Sequence, residues 1–163
     1  MLMTVVKYLL QIVEVSTVNI RYCIIQTNEE LDKALDMCYD ILGQVNEELY
    51  GRPAWQRRLW EGSSPMVYAE VDGEVISAVL SRREDENGIV LGMVACKSDF
   101  RRKGITGELM RMVEDLAKES GYKSITCGSK EDAFYKSCGY DLIFCVHGQN
   151  IFQKILSKGE HHD

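Results

Sequence analysis

Between Met66 and Gly121 the apolar residues change their period once, and that change restricts the topology more than any other feature of the chain. "MVYAEV" and "EVISAVLS" flank Asp72-Gly73, a pair suited to a two-residue type I′ turn because both positions tolerate positive φ. "SRREDENG" then leads through Asn87-Gly88 into "IVLGMVAC", so three antiparallel strands follow one another. From Ile105 the spacing becomes helical. Ile105, Leu109, Met112, Val113, Leu116 and Ala117 share one face, with Arg111, Glu114, Asp115, Lys118 and Glu119 on the other, which predicts an amphipathic helix of about four turns. Gly121 is its stop. "KSITCGS" is strand again; reached through a helix, it lies parallel to the preceding strand by a right-handed crossover where the two are sheet neighbours. A meander that feeds a strand–helix–strand unit requires a mixed sheet with helices packed on it.

The flanks complete an α+β domain. "IRYCIIQ", Ile20 to Gln26, is β-branched and reads as a strand. Thr27, Asn28 and Glu30 cap a helix whose apolar face is Leu31, Ala34, Leu35, Cys38, Ile41 and Leu42, with Gly43 at its end. Val45 to Ser64 carries Tyr50, Pro53, Trp55 and Trp60 among charges; an irregular second helix is expected, its aromatics either lining a pocket or filling the core. After "KSITCGS" come a short helix, Glu131 to Ser137, and two strands, "YDLIFCV" and "NIFQKIL". The expected organisation is an extension over residues 1–19, one domain over 20–157 and a polar tail over 158–163, with no internal repeat or linker.

Composition removes several function classes. The chain has 163 residues, 45% apolar and 27% charged, with net charge −6. That is ordinary for one globular core, and it disfavours nucleic acid as the main partner, because phosphate neutralisation needs clustered Lys and Arg. Six scattered cysteines without a C-x-x-C pair read as reduced thiols of a cytoplasmic protein. His147, His161 and His162 have no zinc-ligand spacing, so no metal is expected. The apolar start "MLMTVVKYLLQIVEVSTVN" is interrupted by Lys7, Gln11 and Glu14; it is short of the roughly 20 apolar residues of a membrane span, and it is expected to pack on the domain or form a loose leader.

Against this acidic background, "DFRRKGITGELM" collects three consecutive cations at the mouth of the amphipathic helix. The first N–H groups of a helix lack intrahelical acceptors, and the helix dipole adds about half a positive charge there. Gly104 allows close backbone approach, Arg101, Arg102 and Lys103 supply charge, and Thr106 a hydroxyl. A pyrophosphate is a good candidate ligand. The plainer alternative is a solvated loop with Gly104 in a tight turn. Neither a Walker A pattern nor G-x-G-x-x-G is present, so a nucleoside triphosphate or NAD is not indicated.

The order of "LGMVACKSDF", "RRKGIT", an amphipathic helix, a strand and "AFYKSCGY" resembles the GCN5-related N-acetyltransferase (GNAT) family. Arg101, Gly104 and Thr106 stand at the defining positions of its R/Q-x-x-G-x-G/A signature, with Thr replacing Gly or Ala. Tyr135, Gly139 and Tyr140 match Y-x-x-x-G-F/Y. "TCGSKEDAFYKSCGY" looks like the matching segment of glucosamine-phosphate acetyltransferases, except that Glu131 stands where those have Asn; it gives no licence to assign an amino-sugar substrate. The resemblance covers Ile20 to Leu156 in element order. It implies a three-layer fold with a central mixed, mostly antiparallel sheet flanked by helices, and acetyl-CoA as acyl donor with no metal.

It also implies roles. The strand at Val94, Ala95 and Cys96 would hold the donor through backbone groups, with the Val94 N–H as oxyanion donor, and Arg101, Arg102, Lys103, Gly104, Ile105 and Thr106 would hold its pyrophosphate. Tyr135 would be the general acid for the departing thiolate. "GIVLGMVAC" has no carboxylate, so the general base is preferred as Glu70, with Glu84, His147 or a water relay as alternatives. The expected activity is acetyl transfer to a primary amine of a small molecule or peptide by direct attack, without nucleic acid or membrane as partner and with room for a homodimer. The competing readings are a catalytically weak acyl-CoA-binding module and an α+β protein without cofactor.

Overall fold

A computed structural model describes residues 19–156. The expectations for the amino-terminal extension and the polar tail lie outside the described residues, apart from Asn19.

Seven strands form one sheet in the order β1-β2-β3-β4-β5-β7-β6. These are β1 (Arg21–Ile24), β2 (Met66–Val71), β3 (Glu74–Arg83), β4 (Gly88–Cys96), β5 (Ser124–Ser129), β6 (Asp141–Val146) and β7 (Gln149–Ile155). Only the β4–β5 pair is parallel, the chain crossing from one to the other through the helix α4 (Ile105–Glu119). The Asp72-Gly73 turn has both φ angles positive, 51° and 81°, as a type I′ turn demands. Asn87-Gly88 is built differently. Asp85 Oδ1 accepts the N–H groups of Asn87 and Gly88 at 2.8 and 2.9 Å, so a side chain rather than a tight two-residue turn closes that loop. The last strand also does not simply add to the edge: β7 inserts between β5 and β6.

Helices cover both faces of the sheet. On one, α1 (Asn28–Leu42) starts with a capping box between Thr27 and Glu30, and α2 (Glu47–Tyr50) and α3 (Arg52–Glu61) replace the single irregular helix expected from the sequence. Leu31, Leu35 and Trp55 pack there against Met66, Leu80 and Met93. On the other face, Ile105, Leu109 and Val113 of α4 and Tyr135 of α5 (Asp132–Ser137) pack against Val67, Ile89, Ile125 and Phe152. The result is three layers, helix–sheet–helix.

The feature that positions the site is a bulge in β4. Leu80 pairs with Met93 and Ser81 with Leu91, leaving Gly92 as the extra residue. Before it Ile89 and Leu91 face α4; after it Met93 and Ala95 face α1 and α3. A Cβ on Gly92 would lie 2.7 Å from Tyr50 Cε1 and 2.8 Å from the Trp55 ring, so only glycine lets those two rings close over the bulge. The same distortion parts β4 from its neighbour: β4 and β5 pair through Gly88–Val90 only, and beyond Val90 they diverge into a fork.

Candidate active site

The open edge of the fork is made by β4. Lys97 N–H donates to Ile76 O at 2.8 Å, and backbone groups alternate sides along a strand. Those of Ala95 are therefore turned to β3, where Ala95 O accepts from Ser77 Oγ at 2.9 Å, while those of Val94 and Cys96 are turned into the fork. Of the three strand residues singled out in the sequence, two present hydrogen-bonding groups to the open side and Ala95 does not.

The cationic loop begins where β4 ends. A 3₁₀ turn, Ser98–Phe100, is followed by Arg102 at φ 61° and Gly104 at φ 79°. Two left-handed residues so close together curl the backbone N–H groups toward one point. Gly104 is the N-cap of α4 and offers no side-chain acceptor; the first intrahelical bond is Glu108 N–H to Gly104 O at 3.1 Å. The N–H groups of Ile105, Thr106 and Gly107 consequently have no acceptor among the described residues. A Cβ on Gly104 would meet nothing within 4 Å, so no protein atom crowds the loop at that residue. Arg101 folds back, its Nε donating to Cys96 O at 3.2 Å, and Lys103 Nζ sits 5.7 Å from the Phe100 ring centre. This cradle of free donors, exposed cations and helix dipole fits a polyanionic group such as a pyrophosphate.

Thr106 does not face that cradle. Its Oγ1 lies 3.0 Å from the buried Ser77 Oγ, and because the single proton of Ser77 goes to Ala95 O, Thr106 is the donor. Ile105 is buried in the core and contributes only backbone.

Tyr135 lies on α5 with its ring in the apolar cluster, stacked on Phe152 at 5.6 Å and edge-on to Tyr140 at 5.8 Å. It shares that cluster with Cys127, the first β5 residue beyond the fork. Burial, with a smaller contribution from Cys127, raises the phenol's pKa above its ordinary value. Its hydroxyl is not among the sealed and unpartnered polar atoms, which among the described residues are Trp55 Nε1, Arg58 Nη1 and Tyr140 OH. Gly139, at φ 87° with Lys154 Nζ 3.3 Å from where a Cβ would be, ends α5, and Tyr140 N–H returns to Tyr135 O at 3.0 Å. The Tyr-x-x-x-Gly-Tyr spacing is thus a helix C-terminus that seats both rings.

The structure does not bring Glu70 to this place. It stands on β2, two strands from β4, opposite Arg21 and Val75, and ion-pairs with Arg21 at 3.1 Å. Glu84 is exposed in the β3–β4 loop, and His147, at φ 49°, forms the β6–β7 turn. Glu131 precedes α5 without capping it through its side chain. Sequence reasoning missed Ser77 and the Gly92 bulge. A glycine inside a strand pattern was the available signal for the bulge.

Among the described residues no group of three His, Cys, Asp or Glu side chains could hold a metal ion, and no helix is long and apolar enough to cross a membrane. The sequence matches a model of the acetyltransferase (GNAT) family over residues 33–140. A comparison with curated proteins finds no match. Solved structures with this fold include a GNAT-family acetyltransferase of Staphylococcus aureus Mu50 at TM-score 0.71 and 14% identity, spanning 84% of this chain and 100% of its own. Another, from Elizabethkingia anophelis with acetyl-CoA bound, aligns at TM-score 0.62 and 18% identity over 85% of this chain and 99% of its own. The PaiA N-acetyltransferase of Thermoplasma acidophilum, in complex with coenzyme A, aligns at TM-score 0.68 and 14% identity over 83% and 99%. With the family model spanning the fork, the cradle and Tyr135 together, the chain belongs to the GNAT acetyltransferase family.

Proposed function

We propose that the protein transfers the acetyl group of acetyl-CoA to a primary amine of a small molecule or peptide by direct attack. The observation that supports this is the continuity of the open β4 edge with the donor-rich loop before α4, with Tyr135 seated in the apolar cluster beside Cys127 of β5. The N–H groups of Ile105, Thr106 and Gly107, with the charges of Arg101, Arg102 and Lys103, bind the pyrophosphate. Val94 and Cys96 pair their main chain with the donor's extended arm and orient the acyl group, a contribution that positioning makes large. Val94 N–H stabilises the oxyanion.

Tyr135 holds its proton at neutral pH as any phenol does. Burial raises its pKa further and makes it a weaker acid, so its donation to the departing thiolate relies on desolvation in a closed fork raising the basicity of that thiolate to match. The amine's proton leaves by a water relay in this reading, since the Glu70 carboxylate is engaged by Arg21 two strands away.

Titration with acetyl-CoA followed by thiol release over an amine panel tests the activity. Binding with release is expected; binding without release on any amine makes the chain an acyl-CoA-binding module instead. Tyr135→Phe keeps the ring packing and is expected to lower turnover about 10²-fold or more. An unchanged rate removes the acid role.

A further inference from the structure

The face of the fork opposite α4 carries a feature that donor binding does not use. Arg82 on β3 stands opposite Val90, the last β4 residue paired with β5, and so flanks the apex of the fork. Its Nε donates to Tyr50 OH at 3.3 Å, and its guanidinium carbon is 5.8 Å from the Tyr50 ring centre. The Tyr50 ring stacks on Trp55 at 5.9 Å, and the Arg58 guanidinium lies over Trp55 at 4.6 Å. Two cations thus bracket two aromatic rings that close over Gly92. Tyr50 is itself fixed, since its carbonyl accepts Tyr39 OH at 2.8 Å.

Neither arginine has a carboxylate within 4.0 Å among the described residues. Arg58 Nη1 is sealed from solvent with no partner. Burial and the charge of Arg82 work against the Arg58 cation, and Glu61, the acidic residue that favours it, is exposed and beyond ion-pair distance. Arg58 as a whole is half-buried, so an anion reaches it by the side of the guanidinium away from the sealed Nη1, and a partly desolvated cation near a second one with no carboxylate partner is costly unless an anion completes it. The ring faces hold both side chains in place, so the forks are organised before any ligand arrives.

We propose that Arg58 and Arg82 form an anion-recognition subsite for the acceptor: the amine to be acetylated belongs to a molecule that carries a carboxylate or phosphate several bonds from the amine. This rests on the acyl-transfer reading above. The donor occupies the α4 side of the fork, which leaves the Tyr50 and Trp55 side for the acceptor. From Val90, beside Arg82, to Val94 is four residues, about 13 Å along the strand less the reach of the arginine. An α-amino acid, with amine and carboxylate on one carbon, is too short to join the two; an ω-amino acid or a short peptide acetylated at its amino end spans them. The acidic net charge of the chain therefore does not describe this part of the fold, where Arg58 and Arg82 stand without a carboxylate within 4.0 Å.

Equilibrium binding and turnover of ε-aminocaproate, its neutral carboxamide and aminohexyl phosphate, measured on the full chain loaded with coenzyme A or acetyl-CoA, test the assignment. Preference for an anionic member by at least about tenfold over the carboxamide is expected from charge-assisted bidentate bonds. The carboxylate and phosphate arms identify which anion is taken. Arg82→Gln, and separately Arg58→Gln, are expected to bring the three compounds to equal affinity, with thermal unfolding recorded to exclude a folding defect. Equal binding of charged and neutral members by the unsubstituted protein, or a preference that survives both substitutions, overturns the proposal. Acetyl-CoA affinity, titrated alongside, separates failure of this subsite from failure of the donor site.

Discussion

The hydroxyl of Thr106 lies 3.0 Å from that of Ser77, and it points into the sheet rather than toward the anion cradle. Thr106 is the residue that departs from the family signature, and its Cβ and hydroxyl are accommodated because β3 supplies a buried serine whose own proton is taken by Ala95 O. Thr106→Ala is therefore expected to change acetyl-CoA affinity less than about twofold while lowering stability by about 1 kcal/mol, the net worth of one hydrogen bond. Ser77→Ala removes the bond to Ala95 O and leaves the Thr106 hydroxyl without its acceptor, and is expected to cost more, about 2 kcal/mol. Calorimetric titration and urea unfolding check the pair. A large loss of affinity in Thr106→Ala would place the hydroxyl on the pyrophosphate after all.

Gly92 holds the fork open through what it lacks. Gly92→Ala drives a methyl into Tyr50 Cε1 and the Trp55 ring, at 2.7 and 2.8 Å, and both rings are held: Trp55 is fully buried and the Tyr50 hydroxyl accepts from Arg82 Nε. Overpacking of this kind costs about 1–3 kcal/mol, expected as a fall of about 3–10 °C in thermal midpoint for a domain of this size. An unchanged midpoint would mean that the bulge is indifferent to the rings above it.

These two residues also mark the boundary of what the sequence discloses. The helix from Ile105 and the Asp72-Gly73 turn were legible because each is decided locally, one by a 3.6 period and the other by two adjacent positive φ angles. The parallel direction of β4 and β5 was legible from the intervening helix only on condition that the two strands are sheet neighbours, which they are. Insertion of β7 between β5 and β6 was not legible, since nothing local to either strand states which edge its partner will take. Nor did alternation on β2 reveal that Glu70 would meet Arg21. The cradle residues could be read from Arg101 to Gly104, whereas the inward turn of Thr106 depended on Ser77, twenty-nine residues earlier.

Gly104 has an internal control. Both Gly104 and Gly62 hold left-handed φ, 79° and 73°, with open space where a Cβ would stand, so alanine at either position carries the same backbone strain, about 1 kcal/mol. Only Gly104 faces the free N–H groups at the start of α4. Gly104→Ala is expected to weaken acetyl-CoA binding about tenfold or more through crowding of the backbone approach, and Gly62→Ala to match its loss of stability without that loss of affinity. Parallel titrations and unfolding curves decide the point, and equal affinities would remove the close-approach role.

Alkaline pH should unfold the protein through its buried thiols. Burial pushes Cys38 and Cys127 up to about 12, whereas thiols of an unfolded chain ionise near 8.5. Above that value the unfolded state holds fewer protons than the native state, so the slope of unfolding free energy with pH is negative. Their contribution is fully present below about pH 8.5 and is lost progressively as pH rises toward 12. Tyr135 and Tyr140, also raised by burial, extend the decline above about pH 10, where free phenols ionise. Urea midpoints taken across alkaline pH are expected to be flat near neutrality and to fall above about pH 9. Cys127→Ala together with Cys38→Ala should flatten the first part of that fall, since the alanines leave small voids but no protons to lose; an undiminished slope in the double variant would assign the alkaline loss to the tyrosines instead.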